Sequence, residues 1–598
     1  MNLPTLNVQN KTRKETIEVF GGFNHSDTIG PAEFFNMKNM TSDHYPLIAS
    51  RGRRGKYAAP ESPQGLIAKD ALCYIDGASF VMNGYAVDMD LSTAEEDCPK
   101  QLISMGAYVI IMPDRKYINT LDLTDFGDID AEFTSSSDVS FELCTADGNA
   151  YTDAIISDDE PDDPENLDLW MDTSSTPHSL KKYSASSGMW VPIATTYIKI
   201  STPGIGLPFD VNDGVQISGI LDEKLQDLNA KMVIWAIGDD YIVVTGILDA
   251  VSTQTAEDGP ITVKRKMPLM DFITESENRL WGCRYGVADN GEVVNELYAC
   301  KLGDFKNWNC FMGLSTDSYV VTCGTDGRFT GAVTHLGFPL FFKEGCLHKV
   351  YGNYPANFKV QTTTCRGVQR GCERSLAIVN EVLYYKARHA VCAYDGSLPV
   401  EVSAALGAEH YSNAVAGAHG NKYHISMMDA AGTYHLFVYD TVRGMWHRED
   451  HLHADCICSC KEDLYCIDHD SKEIITLLGS GVSAGSLASK SEKHIEWSVE
   501  TGLIGMATPT MQYITEVLLK LSTEDPLCMV SIYIQYDSEA AWNLVTSNTI
   551  QTPGSALFPI RPHRCDHFRL KIDGNGAAKI FSITKKTKQG SSKARAWN

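Results

Sequence analysis

Long apolar runs are missing from this 598-residue sequence: none approaches the ~18 residues of a membrane-spanning helix. No membrane span is therefore expected. The first seven residues, Met1 to Asn7, lack the basic-then-apolar order of a secretory signal, so synthesis and folding in a cytoplasm are expected. The seventeen cysteines are odd in number and none falls in a CxxC spacing, which argues against a disulfide framework. Several of them, such as Cys73, Cys300, Cys392 and Cys466, sit in apolar strand-like runs and read as reduced core thiols. HExxH and Walker motifs are absent, and Gly204-Ile205-Gly206 lacks the third glycine and the following helix of a phosphate cradle. Cations are scarce as well. A formal charge of −25 argues against gripping nucleic acid over the whole surface, yet suits a wall that a duplex slides past.

What the sequence does contain is a repeat. Between Thr325 and Gly479 a short apolar or aromatic run, a polar turn and a second strand closing on Gly or Asp recur several times. The anchors Leu340, Tyr384, Tyr423 and Tyr465 are spaced by 44, 39 and 42 residues, which fits a β-propeller blade of about 40–50 residues. Similar units begin at Leu72, Tyr108 and Leu280. The expected fold is thus all-β, a β-propeller of about seven blades, with an inserted small β-barrel domain and a C-terminal β-sandwich.

In chain order, residues 1–60 are rich in Gly and polar residues and read as an extended N-terminal arm strapped over a surface, not a core. Residues 61–124 hold the first blades. The rhythm stops over 125–267, where Asp158, Asp159, Glu160, Asp162, Asp163, Glu165 and Asp168 form an acidic loop without the alternating order of an EF-hand. Strand-like runs at Tyr197–Ile200, Asp213–Gly219, Met232–Ile237 and Tyr241–Gly246 then suggest a separate β-domain. Blades resume over 268–480. A Gly/Ser/Ala linker follows, then a sandwich over 490–585 and a basic flexible tail over 586–598.

The segment His447 to Cys460 offers every common transition-metal ligand type, but Cys456, Cys458 and Cys460 cannot converge on one ion from a strand. No metal and no cofactor is expected. Tyr183 to Trp190, Tyr439 to Trp446 and Tyr536 to Trp542 share a hairpin signature, Tyr closing one strand and Trp opening the next. Carboxylates such as Asp271, Glu275, Glu344 and Glu373 have no neighbours that mark them as catalytic, so a non-enzymatic chain is expected. Arg51, Arg53 and Arg54 form a cluster suited to carboxylates of a partner chain or to phosphate, and are the partner-contact candidates.

The N-terminal Gly21-Gly22, the run Asn39 to Pro46 and the closing Arg51, followed by early blades, an inserted β-domain, resumed blades and a C-terminal sandwich, resemble the tail-nozzle, or packaged-DNA-stabilisation, proteins of short-tailed bacteriophages. The resemblance implies a structural virion protein made in the bacterial host cytoplasm. It would be a homo-oligomer, a hexameric ring below the portal and its adaptor, contacting other tail proteins, retaining packaged double-stranded DNA and serving as the channel for its ejection without sequence-specific binding. The alternative is a host-receptor or carbohydrate-binding propeller of a phage tail, with Trp281, Tyr285, Trp308 or Trp446 stacking on sugar rings; a glycosidase is the third reading.

Overall fold

The computed structural model describes residues 12–95, 98–151, 154–288, 291–478, 492, 494–504, 512–523, 528–550, 554–561, 565 and 567–589. The protein is nearly all-β, with 52% of residues in strands. It divides into two units, residues 1–100, 342–347 and 363–598 in the first and 101–341 and 348–362 in the second.

In the first unit, four strands from Pro63 to Asp88 run as an antiparallel meander. Four more from Ala377 to Glu401 do the same. The short turns between them put glycine or asparagine where φ must be positive, as at Gly77 (φ 57°) and Asn380 (φ 49°). A third meander comprises Ser412–His419, Lys422–Met428, Tyr434–Asp440 and Met445–Arg448. A fourth, Ala454–Cys460, Asp463–Asp468 and Ile474–Thr476, has only three strands of its own. Its fourth is Gly55–Ala58, so a segment far away in sequence completes the sheet.

That pairing corrects the reading of residues 1–60 as an arm outside the core. Gly22–Phe23 pairs with Met445–Arg448, Glu33–Lys38 pairs with Glu496–Thr501, and the third meander thereby continues into the C-terminal strands as one ten-stranded sheet. Phe20, Phe23, Phe34, Met37, Met40 and Ile48 are buried. The segment lacks a two-residue period because it crosses between sheets every few residues, so its apolar side chains are spaced by the crossings. Gly22 shows how tight this is. Its φ is +84°, and a Cβ there would lie 2.5 Å from the Trp446 carbonyl oxygen. Gly22→Ala is expected to cost at least about 2 kcal/mol, from left-handed strain plus the clash, read as a lowered urea midpoint.

The remaining C-terminal strands, Gln512–Thr523, Gly554–Ile560 and Ala578–Gln589, form a sheet with N-terminal Met40–Thr41, Ile48–Ser50 and Thr12–Ile17. Residues 586–589 thus belong to a strand, not to a flexible tail, and Lys586 donates to Glu516 at 2.5 Å. Residues 590–598 and the whole Gly/Ser/Ala linker, 479–490, lie outside the described residues.

The second unit contains meanders over Gln101–Asp128 and Phe272–Thr322, and most of a sheet over Phe329–Thr364. Among the described residues of the two units, the seven anchors from Leu72 to Tyr465 each lie on the second strand of a four-stranded run, which makes the fold β-propeller-like. The inserted segment folds into a four- and a five-stranded sheet around one core that includes Phe141, Ile198, Ile200, Val215, Ile217, Ile242 and Val244. Its run Met232–Ile237 divides into Lys231–Val233 in one sheet and Ala236–Gly238 in the other. The acidic loop connects Ile155–Ser157 to Leu169–Asp172, a parallel pair in a further small sheet. A parallel pair needs a crossover, and these exposed carboxylates supply it.

Candidate functional site: an arginine clasp and a histidine cluster

The run that carries the resemblance, Asn39 to Arg51, makes side-chain contacts along most of its length. Asn39 adopts φ 56°, where asparagine is the best tolerated residue after glycine. Its amide donates to the Glu496 carbonyl at 2.8 Å and its oxygen accepts from Arg51 Nε at 2.9 Å. Thr41 and Asp43 accept from Lys422 Nζ at 2.8 and 2.6 Å, and Ser42 donates to buried Asp440 at 2.7 Å. Tyr45 lies under the Arg443 guanidinium at 4.7 Å.

Arg51 is the hub. Its side chain is 3% exposed and its fork donates to both oxygens of Glu492, at 2.7 and 2.9 Å, and to Asp450 at 3.4 Å. Arg54 donates to Asp450 at 2.7 and 3.0 Å and to Glu449 at 2.7 Å. Burial works to raise the Asp450 and Glu492 pKa values, but the arginines beside them outweigh it and hold both carboxyls below the usual range. Burial would lower the Arg54 pKa, yet Asp450 and Glu449 drive it higher. Of the three partner-contact candidates, then, Arg51 and Arg54 are turned onto carboxylates of the chain itself; Arg53 is exposed. A row of arginines next to glycine looks the same in sequence whether it faces a partner or folds onto acids some 400 residues away.

The His447 to Cys460 segment resolves into three environments. His447, on a central strand of the ten-stranded sheet, is 1% exposed and both its ring nitrogens are without a hydrogen-bond partner among the described residues. In the same row two strands away, beyond Val438, His424 is 2% exposed with Nδ1 unpartnered. Burial, reinforced by Lys422, pushes both imidazoles down to about 3. Cys456 and Cys460 pack with Leu72, Tyr74, Ile467 and Ile474, and burial pushes the Cys458 thiol up to about 12; the three thiols do not converge on a site.

His453 and Asp455 instead meet His469, which sequence reasoning missed. Ala454 pairs with Asp468 across the hairpin, and a bulge between Ala454 and Cys456 turns Asp455 toward the neighbouring strand. His469 Nδ1 and Asp455 Oδ1 are 2.9 Å apart, and the His453 ring stacks between His469 at 4.0 Å and Tyr434 at 3.6 Å. Part of the signal was available: counting back along the hairpin from its turn at Lys461 sets residue 469 beside residue 454, and the bulge, which the sequence does not mark, moves its partner to residue 453.

Elsewhere, Asp271 pairs with Arg284 at 2.7 Å, Glu275 accepts from the Asn278 amide at 2.9 Å, and Glu344 accepts from the Arg370 amide at 3.3 Å. Trp281, Trp308 and Trp446 are buried, and Tyr285 is half-buried with its hydroxyl on Asp326 at 2.7 Å. Two of the three Tyr/Trp hairpins place the two rings directly opposite, Tyr183 with Trp190 and Tyr439 with Trp446, whereas Tyr536 pairs with Phe568 and not with Trp542. Among the described residues no helix is long and apolar enough to cross a membrane.

No family model and no curated protein matches the chain. Solved structures to which it is similar include an exo-β-1,3-galactanase from Phanerochaete chrysosporium with galactose, at 8% identity and TM-score 0.21 over 52% of this chain and 94% of that one. Another is a Trypanosoma rangeli sialidase in complex with 2,3-difluorosialic acid, at 8% identity and TM-score 0.21 over 96% and 95%. A third is an engineered GH43 glycoside hydrolase, at 8% identity and TM-score 0.19 over 53% and 96%. The expectation of a non-enzymatic chain is corrected to this extent: solved structures similar to it include glycoside hydrolases and sialidases. Similarity at this level assigns no activity; the shared ground is a β-propeller-like, nearly all-β fold.

Proposed function

We propose that the chain is a subunit of a bacteriophage tail, a roughly seven-bladed propeller that assembles into a ring of the nozzle or hub type through which the genome leaves. The observation that carries this reading is where the resembling residues sit. Gly22, Asn39 to Asp43 and Arg51 tie propeller-like sheets to C-terminal sheets inside one unit, the kind of bracing a wall under load requires. A strongly acidic composition suits a channel, because duplex DNA passes carboxylates without the salt-dependent grip of Lys and Arg. The ring would place the subunit below a portal and adaptor, and Arg53 remains a partner-contact candidate on the surface.

The second reading is a receptor- or carbohydrate-binding propeller of the same kind of particle. With the three tryptophans buried, stacking on a sugar would fall to Tyr285 and to exposed rings such as Tyr85 and Tyr354. Electron microscopy of the purified chain, alone and with its particle's adaptor ring, separates the readings. A ring-shaped oligomer docked on the adaptor is the expected result. A species that never joins the adaptor and is retained on immobilised glycan overturns it in favour of the second.

A further inference from the structure

The histidine cluster is not used by either reading of the fold. His453, Asp455 and His469 each offer one ligand atom, and these atoms all lie within 4.8 Å of one another. Two nitrogens on one zinc ion sit about 3.3 Å apart, given Zn–N bonds of ~2.0–2.1 Å, so side-chain rotations of about an ångström would bring the three into range. The set is chemically selective. Two imidazoles and one carboxylate suit a borderline divalent ion such as Zn²⁺ and are poor for Ca²⁺ or Mg²⁺, which demand oxygen.

The backbone supports the arrangement independently. His453 and Asp455 alternate on one strand end, the bulge re-aims the second of them, and the His469 amide donates to the His453 carbonyl at 2.9 Å, fixing the two strand ends at the level of the side chains. Tyr434 stacks on the outer face of His453 and restricts its ring. The Asp455 and His469 side chains are 20% and 45% exposed, which leaves an approach for the ion and for water to complete its coordination.

We propose that His453, Asp455 and His469 form a binding site for one Zn²⁺-class divalent ion that staples Ala454–Cys460 to Asp463–Asp468. These are two of the strands in the sheet that N-terminal Gly55–Ala58 completes. Binding replaces the Asp455–His469 hydrogen bond: the Nδ1 proton is exchanged through solvent for one on Nε2, so the imidazole stays neutral, and Nδ1 and the carboxylate oxygen each donate a lone pair to the ion. There is no redox step. The metal's role is structural, since it closes the open end of a hairpin.

Titration of the full-length, EDTA-treated chain with ZnCl₂ in a calorimeter tests this. One Zn²⁺ per chain is expected, with a rise in melting temperature that grows with free zinc. His469→Ala and Asp455→Asn are each expected to weaken that site by at least about tenfold, while His451→Ala, just outside the set, leaves it unchanged. Should His469→Ala lose its fold in EDTA, His469→Gln keeps a hydrogen-bonding side chain and provides the same comparison. Absence of stoichiometric binding in the wild type, or binding of equal strength in Asp455→Asn and the His469 variant, overturns the proposal.

Discussion

Replacing Arg51 with alanine is expected to destabilise the first unit by about 3–5 kcal/mol, the range for removing one partner from a buried ion pair. The size follows from what stays behind. Glu449, Asp450 and Glu492 share two guanidinium groups, and loss of Arg51 leaves three carboxylates facing Arg54 alone. Asn39, held at positive φ, loses the donor that satisfies its side-chain oxygen. Arg51→Lys keeps the charge but not the fork that meets both Glu492 oxygens, and is expected to recover less than half of the loss. Urea unfolding followed by the fluorescence of buried Trp446 and Trp497 reads the effect. A loss below about 1 kcal/mol, typical of exposed pairs, would mean that the clasp is only a surface feature.

Acidification is expected to act nearly as strongly through His424 and His447. Their folded pKa values of about 3 lie below the unfolded value near 6.5. The unfolded chain therefore binds more protons once the pH falls below 6.5. Their contribution is fully present above that value and declines toward pH 3, at about 1.4 kcal/mol per pH unit for each histidine. Between pH 7 and pH 5 the pair should cost about 4 kcal/mol. The depressed carboxyls Asp450 and Glu492 weaken the fold in the same direction, but only as the pH drops through the carboxylate range. His447→Leu, which places an apolar group in an apolar site, is expected to remove about half of the slope between pH 6.5 and pH 5 in urea midpoints measured by pH. An unchanged slope would show that these imidazoles do not titrate on unfolding in the way their burial implies.

Much of the architecture was legible because the meander is a local structure. Leu72, Tyr108, Leu280, Leu340, Tyr384, Tyr423 and Tyr465 each open or lie near the start of a strand whose partners are its sequence neighbours, so turns and alternation reveal it. Tyr439 and Trp446 were readable for the same reason. The first sixty residues were not, because most strands there pair with something remote: Gly55 with Thr476, Phe23 with Trp446, Met37 with Val499. A single sequence carries no trace of such partners, and a chain that changes sheet every few residues shows no period. The arginine cluster was misleading on the same account, since its acids, Glu449, Asp450 and Glu492, are nowhere near it in sequence. His469 is closer, one hairpin away from His453, but the bulge at Asp455 that brings the two together leaves no mark in the sequence.

That residues 20–58 are woven into the sheets of the first unit is the claim the clasp, the glycine at position 22 and the proposed function share, and native-state hydrogen exchange tests it most directly. Amides of Phe23, Phe34, Met37 and Lys56 should exchange as slowly as those of Tyr423 and Val499, at the rate of global unfolding of that unit. Exchange of the N-terminal amides within seconds, while Tyr423 and Val499 stay protected, would return the segment to a loose arm and contradict the account.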